Sequence, residues 1–229
     1  MLQLSGGRAA RPRPRYNRSV RFLPIAAFWV TSTLALIGAE KKIAWLHVVF
    51  KPLTTMLLLA VVGFPETTFA RWIAAGIVLS VIGDVALLWD SKRAFIAGLV
   101  AFLLAHIAYV IAFLGVAVWS RHLAVVAVIV TVSSLLLLRA TWKGAAGLHA
   151  ATIAYAVVIS AMVVAAWATI GGPVAMAPAA AVGAVLFYIS DSSLALNRFR
   201  APVPHIAMLA IGVYWLGQLG IAIAASTAF

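Results

Sequence analysis

Eight apolar runs of 17 to 25 residues, parted by short polar breaks, leave this chain few structures to adopt. They fall at 22–39, 43–63, 69–89, 94–118, 122–138, 147–170, 174–196 and 203–226. A helix rises about 1.5 Å per residue, so about 20 apolar residues cross the roughly 30 Å hydrocarbon core of a bilayer. The pattern predicts an all-α, polytopic membrane protein, a bundle of eight transmembrane helices over 22–229. Composition excludes the soluble alternative. The chain is 65% hydrophobic and 10% charged, against about 45–50% and about 25% in soluble domains. One water-soluble domain of this size would still expose about a quarter to a third of its unfolded surface. Breaks such as Glu40-Lys41-Lys42 and Asp90-Ser91-Lys92-Arg93 are too short for a separate domain, so any binding or catalytic apparatus lies inside the bundle.

The net charge of +12 points to the membrane surface and not to nucleic acid, because the basic residues sit in one tail or punctuate the apolar runs. Residues 1–21 carry six arginines, two prolines and no acid, which predicts a disordered basic arm. Residues 22–39 read as a first membrane helix and not a cleaved leader: the apolar stretch exceeds a usual leader core and Ile37-Gly38-Ala39 is a poor cleavage site. Lysines and arginines near helix ends number eight on each side, so they leave orientation open; without the tail, the loops alone favour a cytoplasmic even-numbered hairpin side, the side of the loops at 40–42, 90–93, 139–146 and 197–202, by eight to two. The alanine-rich composition suits a bacterial inner membrane. Zero cysteines exclude disulfides, thiol nucleophiles and cysteine metal sites.

The five acids are the informative residues. Glu40, Glu66 and Asp90 fall in loops or at helix ends, whereas Asp84 and Asp191 fall inside the third and seventh runs. A carboxylate there costs at least about 2.5–3.5 kcal/mol on insertion scales, so by default it faces a cavity and has a function. Lys51, followed by Pro52, is the matching cation in the second run. His106, Tyr109, Tyr155, Tyr188, Asn197, Tyr214 and Gln218 are further candidates for one interior site. Measured from the even-numbered hairpins, Asp84 and Asp191 lie about 9 Å deep, Lys51 and Tyr155 about 12 Å, and Tyr214, His106 and Tyr109 about 16–23 Å. The first four share a leaflet, open toward Lys92, Arg93, Arg198 and Arg200, which suit a phosphate head group. Gly83-Asp84-Val85-Ala86-Leu87 and Ser190-Asp191-Ser192-Ser193-Leu194 also share a small-Asp-x-x-Leu pattern, the trace expected of a four-plus-four duplication.

Plainer readings stand beside these. One acid and Lys51 could form a structural ion pair, His106 could be a hydrogen-bonded interior histidine, and the tyrosines could be packing rings with satisfied hydroxyls. Yet two acids with one base leave a carboxylate over, and two carboxyls sharing a poorly solvated space divide into a proton donor and a charged partner. His47, His149 and His205 could join an acid around a metal, but no paired-ligand spacing appears and no metal or cofactor is expected. No serine-nucleophile motif or nucleotide loop occurs. A proton- or ion-coupled transporter using the same Asp/Lys cluster is the rival function, and a structural lipid-binding protein the third.

Lys51-Pro52, Gly83-Asp84, Phe102-Leu103-Leu104-Ala105-His106-Ile107-Ala108-Tyr109 and Phe187-Tyr188-Ile189-Ser190-Asp191-Ser192 resemble, in order, the K-P, G-D, F-x-x-A-H-x-x-Y and F-x-x-S-D-S/T motifs of the YhhN-like lysoplasmalogenase family. The likeness runs from about Phe22 to the end and leaves out the arginine-rich tail. It implies an eight-helix membrane hydrolase that cleaves the vinyl ether bond of a lysophospholipid, the lysoplasmalogen, to a fatty aldehyde and glycerophosphoethanolamine or glycerophosphocholine, without a metal. Asp84 and Asp191 match the acids expected to do the chemistry; Lys51 would set their charge balance or hold the phosphate, and the remaining candidates would position water or glycerol oxygens. Such a bond is broken by protonation at carbon and attack of water on the oxocarbenium ion, for which one carboxylic acid and one carboxylate suffice, much as in glycoside hydrolysis.

Overall fold

A computed structural model describes residues 22–203 and 205–227. The basic arm expected at 1–21 lies outside the described residues. The described residues form eight helices: α1 (Phe22–Glu40), α2 (Ala44–Val62), α3 (Thr68–Ala86), α4 (Lys92–Leu114), α5 (His122–Thr141), α6 (His149–Trp167), α7 (Ala177–Phe199) and α8 (Ile206–Ser226). All eight are long and apolar enough to span a membrane, and the chain is an integral, multi-pass membrane protein.

Helix ends follow local chemistry. Thr67 and Ser91 cap α3 and α4, each side-chain oxygen accepting from the backbone N–H three residues on, at 3.1 Å. α4 stops at Leu114, four residues before the apolar run does, because the chain turns at Gly115 and Val118 N–H then donates to the Ala168 carbonyl beyond α6. α7 starts at Ala177, with Pro178 in its first turn, where a missing N–H is harmless.

Successive helices pack as the hairpins α1–α2, α3–α4 and α7–α8, and α8 also touches α2, α3 and α1. The α7–α8 seam is the tightest, since a Cβ on Gly183 would stand 2.5 Å from the Gly217 carbonyl oxygen and one on Gly217 would stand 2.7 Å from that of Gly183. Lipid is as apolar as leucine, so such close backbone approach, rather than hydrophobic burial, holds membrane helices together. α4 and α5 both lean on α6, and α5 also touches α7.

Candidate active site

Asp84 sits in the last turn of α3 and Asp191 two turns from the C-terminal end of α7, while Lys51, His106, Tyr155 and Tyr214 ride on α2, α4, α6 and α8, which run the other way. Side chains lean toward the N-terminus of their own helix. The acids therefore reach inward from the even-numbered hairpin side, and the groups on the even helices reach back toward them. This closes the depth gap expected from backbone counting for Tyr214 and His106.

The two acids are solvated by the protein in different ways. Asp84 is 2% exposed. Its Oδ2 accepts from the Thr55 hydroxyl at 2.5 Å and the Tyr214 hydroxyl at 3.1 Å. Its Oδ1 faces Lys51 Nζ at 3.6 Å, and Nζ also donates to the Asp84 backbone carbonyl at 3.4 Å. Behind this shell stands a second one. Trp215 Nε1 donates to Thr55 at 3.2 Å, and Gln218 Nε2 donates to Tyr214 at 3.3 Å and to Ser80 at 2.8 Å. Tyr109 in turn donates to Gln218 Oε1 at 2.6 Å. Gly76 makes room for Tyr109, since a Cβ there would fall 2.2 Å from the ring. The structural ion pair weighed from the sequence exists, and it uses Asp84.

Asp191 is the acid left over. The Tyr155 hydroxyl donates to its Oδ2, and His106 Nε2 stands 3.7 Å from the same oxygen. No hydrogen bond to Oδ1 occurs among the described residues, and the side chain retains 15% exposure to the cavity. His106 departs from the reading of a satisfied interior histidine: it is fully buried, and among the described residues neither ring nitrogen has a hydrogen-bond partner. Its ring is held edge-on by Tyr155 and Phe187 at centroid separations of 5.2 and 4.5 Å. A buried imidazole kept without partners is expensive unless something else uses it.

Asp84, Asp191, Lys51, Tyr155, Tyr188 and Tyr214 all line one cavity of about 150 Å³. Phe95, Phe199 and Arg198 also line it, where α4 begins and α7 ends. The Arg198 guanidinium lies 4.8 Å over the Phe95 ring, which holds the cation without neutralising it. His106, Tyr109 and Gln218 do not line the cavity; His106 stands behind Asp191, and Tyr109 and Gln218 buttress Tyr214 from behind.

Two further placements differ from the expected site. Asn197 is not among the lining residues; its Oδ1 accepts from Val203 N–H at 2.7 Å and closes the turn into α8, since a polar side chain at a helix end finds a loose backbone donor first. Tyr188 shares the cavity wall, but its hydroxyl pairs with that of Ser134 on α5 at 2.9 Å and not with an acid. The histidines weighed as metal ligands have other partners: His149 stacks on Trp142, His205 lies 3.4 Å from Glu40, and His47 Nδ1 is 3.4 Å from the Ala35 carbonyl. Thr55, Ser80, Ser134 and Trp215 were missed by the sequence reading. Hydroxyls and indoles are ordinary in membrane helices, and the one available signal was Thr55 lying four residues after Lys51, on the same helix face.

Comparison with known proteins bears on this constellation. Lysoplasmalogenase TMEM86B of Homo sapiens is 29% identical over 191 residues, covering 81% of this chain and 78% of that protein. Lysoplasmalogenase TMEM86A of Bos taurus is 31% identical over 164 residues, 68% of this chain and 65% of that protein, so the chain spans just under two thirds of that relative. A lysoplasmalogenase of Mycobacterium bovis is 34% identical over 182 residues, 75% of this chain and 66% of that protein. No solved structure matches. The YhhN family model matches residues 46–225, a span that begins just before Lys51, ends just after Gln218 and so takes in every residue of the cavity described above; the chain belongs to the YhhN family.

Proposed function

We propose that this chain hydrolyses the vinyl ether bond of lysoplasmalogen within the membrane, with Asp191 as proton donor and Asp84 as the fixed negative charge. The observation that carries the reading is the unequal provision for two carboxyls on one cavity: Asp84 has a cation and two hydroxyl donors, whereas among the described residues Asp191 has neither a lysine nor an arginine beside it, only His106, and no partner for Oδ1. A carboxyl group with full donor coverage keeps its charge, and one without a counter-ion in a dry space keeps its proton.

Asp191 Oδ1 delivers that proton to the carbon of the vinyl group that does not bear oxygen. The double-bond electrons form the new C–H bond, and positive charge develops at the ether-bearing carbon. The Asp84 carboxylate and the aromatic faces of Phe102 and Tyr214 on the cavity wall stabilise that oxocarbenium ion. Water attacks the carbon and gives its proton to Asp191, now a carboxylate, with His106 Nε2 beside it to share the load. The hemiacetal loses its hydroxyl proton, the C–O bond to glycerol breaks, and the departing oxygen takes up a proton. The sum is one vinyl ether and one water to one aldehyde and one alcohol. Arg198 at the mouth supplies the positive charge that a phosphate head group requires.

The relatives named lysoplasmalogenase support this reaction class. The test is aldehyde release from purified lysoplasmalogen in detergent by wild type, Asp191→Asn and Asp84→Asn. Loss in both variants with helicity retained is expected. Turnover by Asp191→Asn would remove its role, and gradient-driven uptake into liposomes without bond cleavage would favour a carrier.

A further inference from the structure

The cavity accounts for the head group and the scissile bond and leaves the hydrocarbon chain unplaced. A larger hollow of about 430 Å³ adjoins it between α4 and α5, floored by α6. It exists because α4 and α5 both pack on α6 rather than on one another. Ser134, Leu138 and Ala156 line both spaces, so the two adjoin across these residues. Polar groups gather at the shared end, where Ser134 lies 2.9 Å from both the Ser160 and the Tyr188 hydroxyls. The far end, at Leu114, Val130, Val164 and Ala165, is apolar.

Resting on the proposed reaction, we infer that this groove holds the alkenyl chain of the substrate, running along α6 from Ala156 toward Ala165. Three observations select a single hydrocarbon chain as the occupant. Apart from Thr131, the groove is apolar except where it meets the cavity. It opens to lipid along its length, since Leu135 and Val157 are 60% and 62% exposed. It also has the right reach: nine helical residues separate Ala156 from Ala165, about 14 Å, close to half of the roughly 30 Å hydrocarbon core, the depth of one lipid tail. Tyr155, whose hydroxyl holds Asp191, is the residue before Ala156, which lines both spaces, so the groove begins beside the proposed proton donor.

A chain that moves from bilayer to groove exchanges one apolar solvent for another, so the groove adds little hydrophobic affinity. Its effect is shape: it fixes where the first carbons of the chain lie relative to Asp191, and it limits how much chain fits.

Ala161 faces this groove midway along α6 and is solvent-accessible, so a large residue there fills the groove without displacing packed core. Ala154, equally exposed on the same helix but outside the groove, is the control. Two measurements on the full chain in detergent decide the matter. In the first, a non-cleavable 1-O-alkyl lysophospholipid carrying a terminal diazirine is photolysed on the protein and the labelled peptides are mapped. Labelling of Leu114–Trp119 and Ala161–Ala165 that is competed by excess unlabelled lysolipid, lost in Ala161→Trp and kept in Ala154→Trp, is expected. Uncompeted labelling spread over outward helix faces, or labelling unchanged by Ala161→Trp, overturns the proposal. In the second, kcat/KM is compared across alkenyl chains of increasing length. Ala161→Trp is expected to lower the ratio of longest to shortest substrate by about tenfold or more, and an unchanged ratio in a variant that still turns over overturns the groove while leaving the reaction intact. If wild type releases no aldehyde the reaction is wrong, and the photolabelling alone decides whether the groove binds a chain.

Discussion

Lys51→Met leaves Asp84 buried with its charge and without its cation. The pair lies 3.6 Å apart with side chains 7% and 2% exposed, so bulk water screens neither partner. Removing one member of such a pair costs about 3–5 kcal/mol, mostly as the penalty of the charge left behind. Here the Thr55 and Tyr214 hydroxyls still cover Oδ2, which places the loss near 3 kcal/mol, the lower end of that range. Asp84→Asn is expected to lose a similar amount, about 3 kcal/mol, by stranding the ammonium against a backbone carbonyl. The double variant Lys51→Met/Asp84→Asn strands nothing, and its loss is expected to be about 2 kcal/mol or less, below either single change and far below their sum. Reversible unfolding in mixed detergent micelles, followed by helical circular dichroism, measures all four proteins. Losses that add within about 0.5 kcal/mol would refute the reasoning, because independent sites add and coupled charges do not. Aldehyde release should be lost in Asp84→Asn and in the double variant alike, since restoring stability does not restore the negative charge.

Other perturbations separate positioning from packing. Tyr155→Phe removes the hydroxyl donor to Asp191 and is expected to lower kcat about 10- to 150-fold with KM little changed, the worth of one charge-assisted hydrogen bond. His106→Leu removes no hydrogen bond, so unfolding free energy should stay level or rise while turnover falls; a stable, fully active variant would make the histidine mere packing. Gly183→Val drives a side chain into the Gly217 carbonyl and should destabilise by about 1–3 kcal/mol or more, with activity lost as Asp191 and Tyr214 move apart. Arg198→Gln should raise KM by no more than about fivefold, an effect that fades as salt rises, because the guanidinium is exposed.

The fold was legible because lipid permits so little else. The spacing of apolar runs specified all eight helices, with ends displaced by a few residues where caps and turns, not hydropathy, decide them. The acids and Lys51 were legible for the same reason, since a charge inside such a run is expensive enough to need an explanation. Which acid takes Lys51 was not, because pairing depends on lateral neighbours, and α2 touches α3 and not α7. Counting residues along helices placed Tyr214 and His106 too deep, as it ignores the lean of a long side chain toward its helix start. Asn197 drew attention as a polar residue suited to position water or glycerol oxygens, and its Oδ1 instead accepts from Val203 N–H at the turn into α8. Thr55 and Trp215 stayed hidden because neither is unusual in a membrane helix until a carboxylate stands opposite.

Asp84 draws its hydroxyl donors from α2 and α8, and none from its own helix. During synthesis α2 and α3 emerge early, whereas the phenol of Tyr214 arrives with α8, more than a hundred residues later. Until then the carboxylate is held in lipid with part of its coordination missing. Docking of α8 is thus the step that makes the site habitable for a charge, so assembly of the bundle and readiness for chemistry are completed by one event.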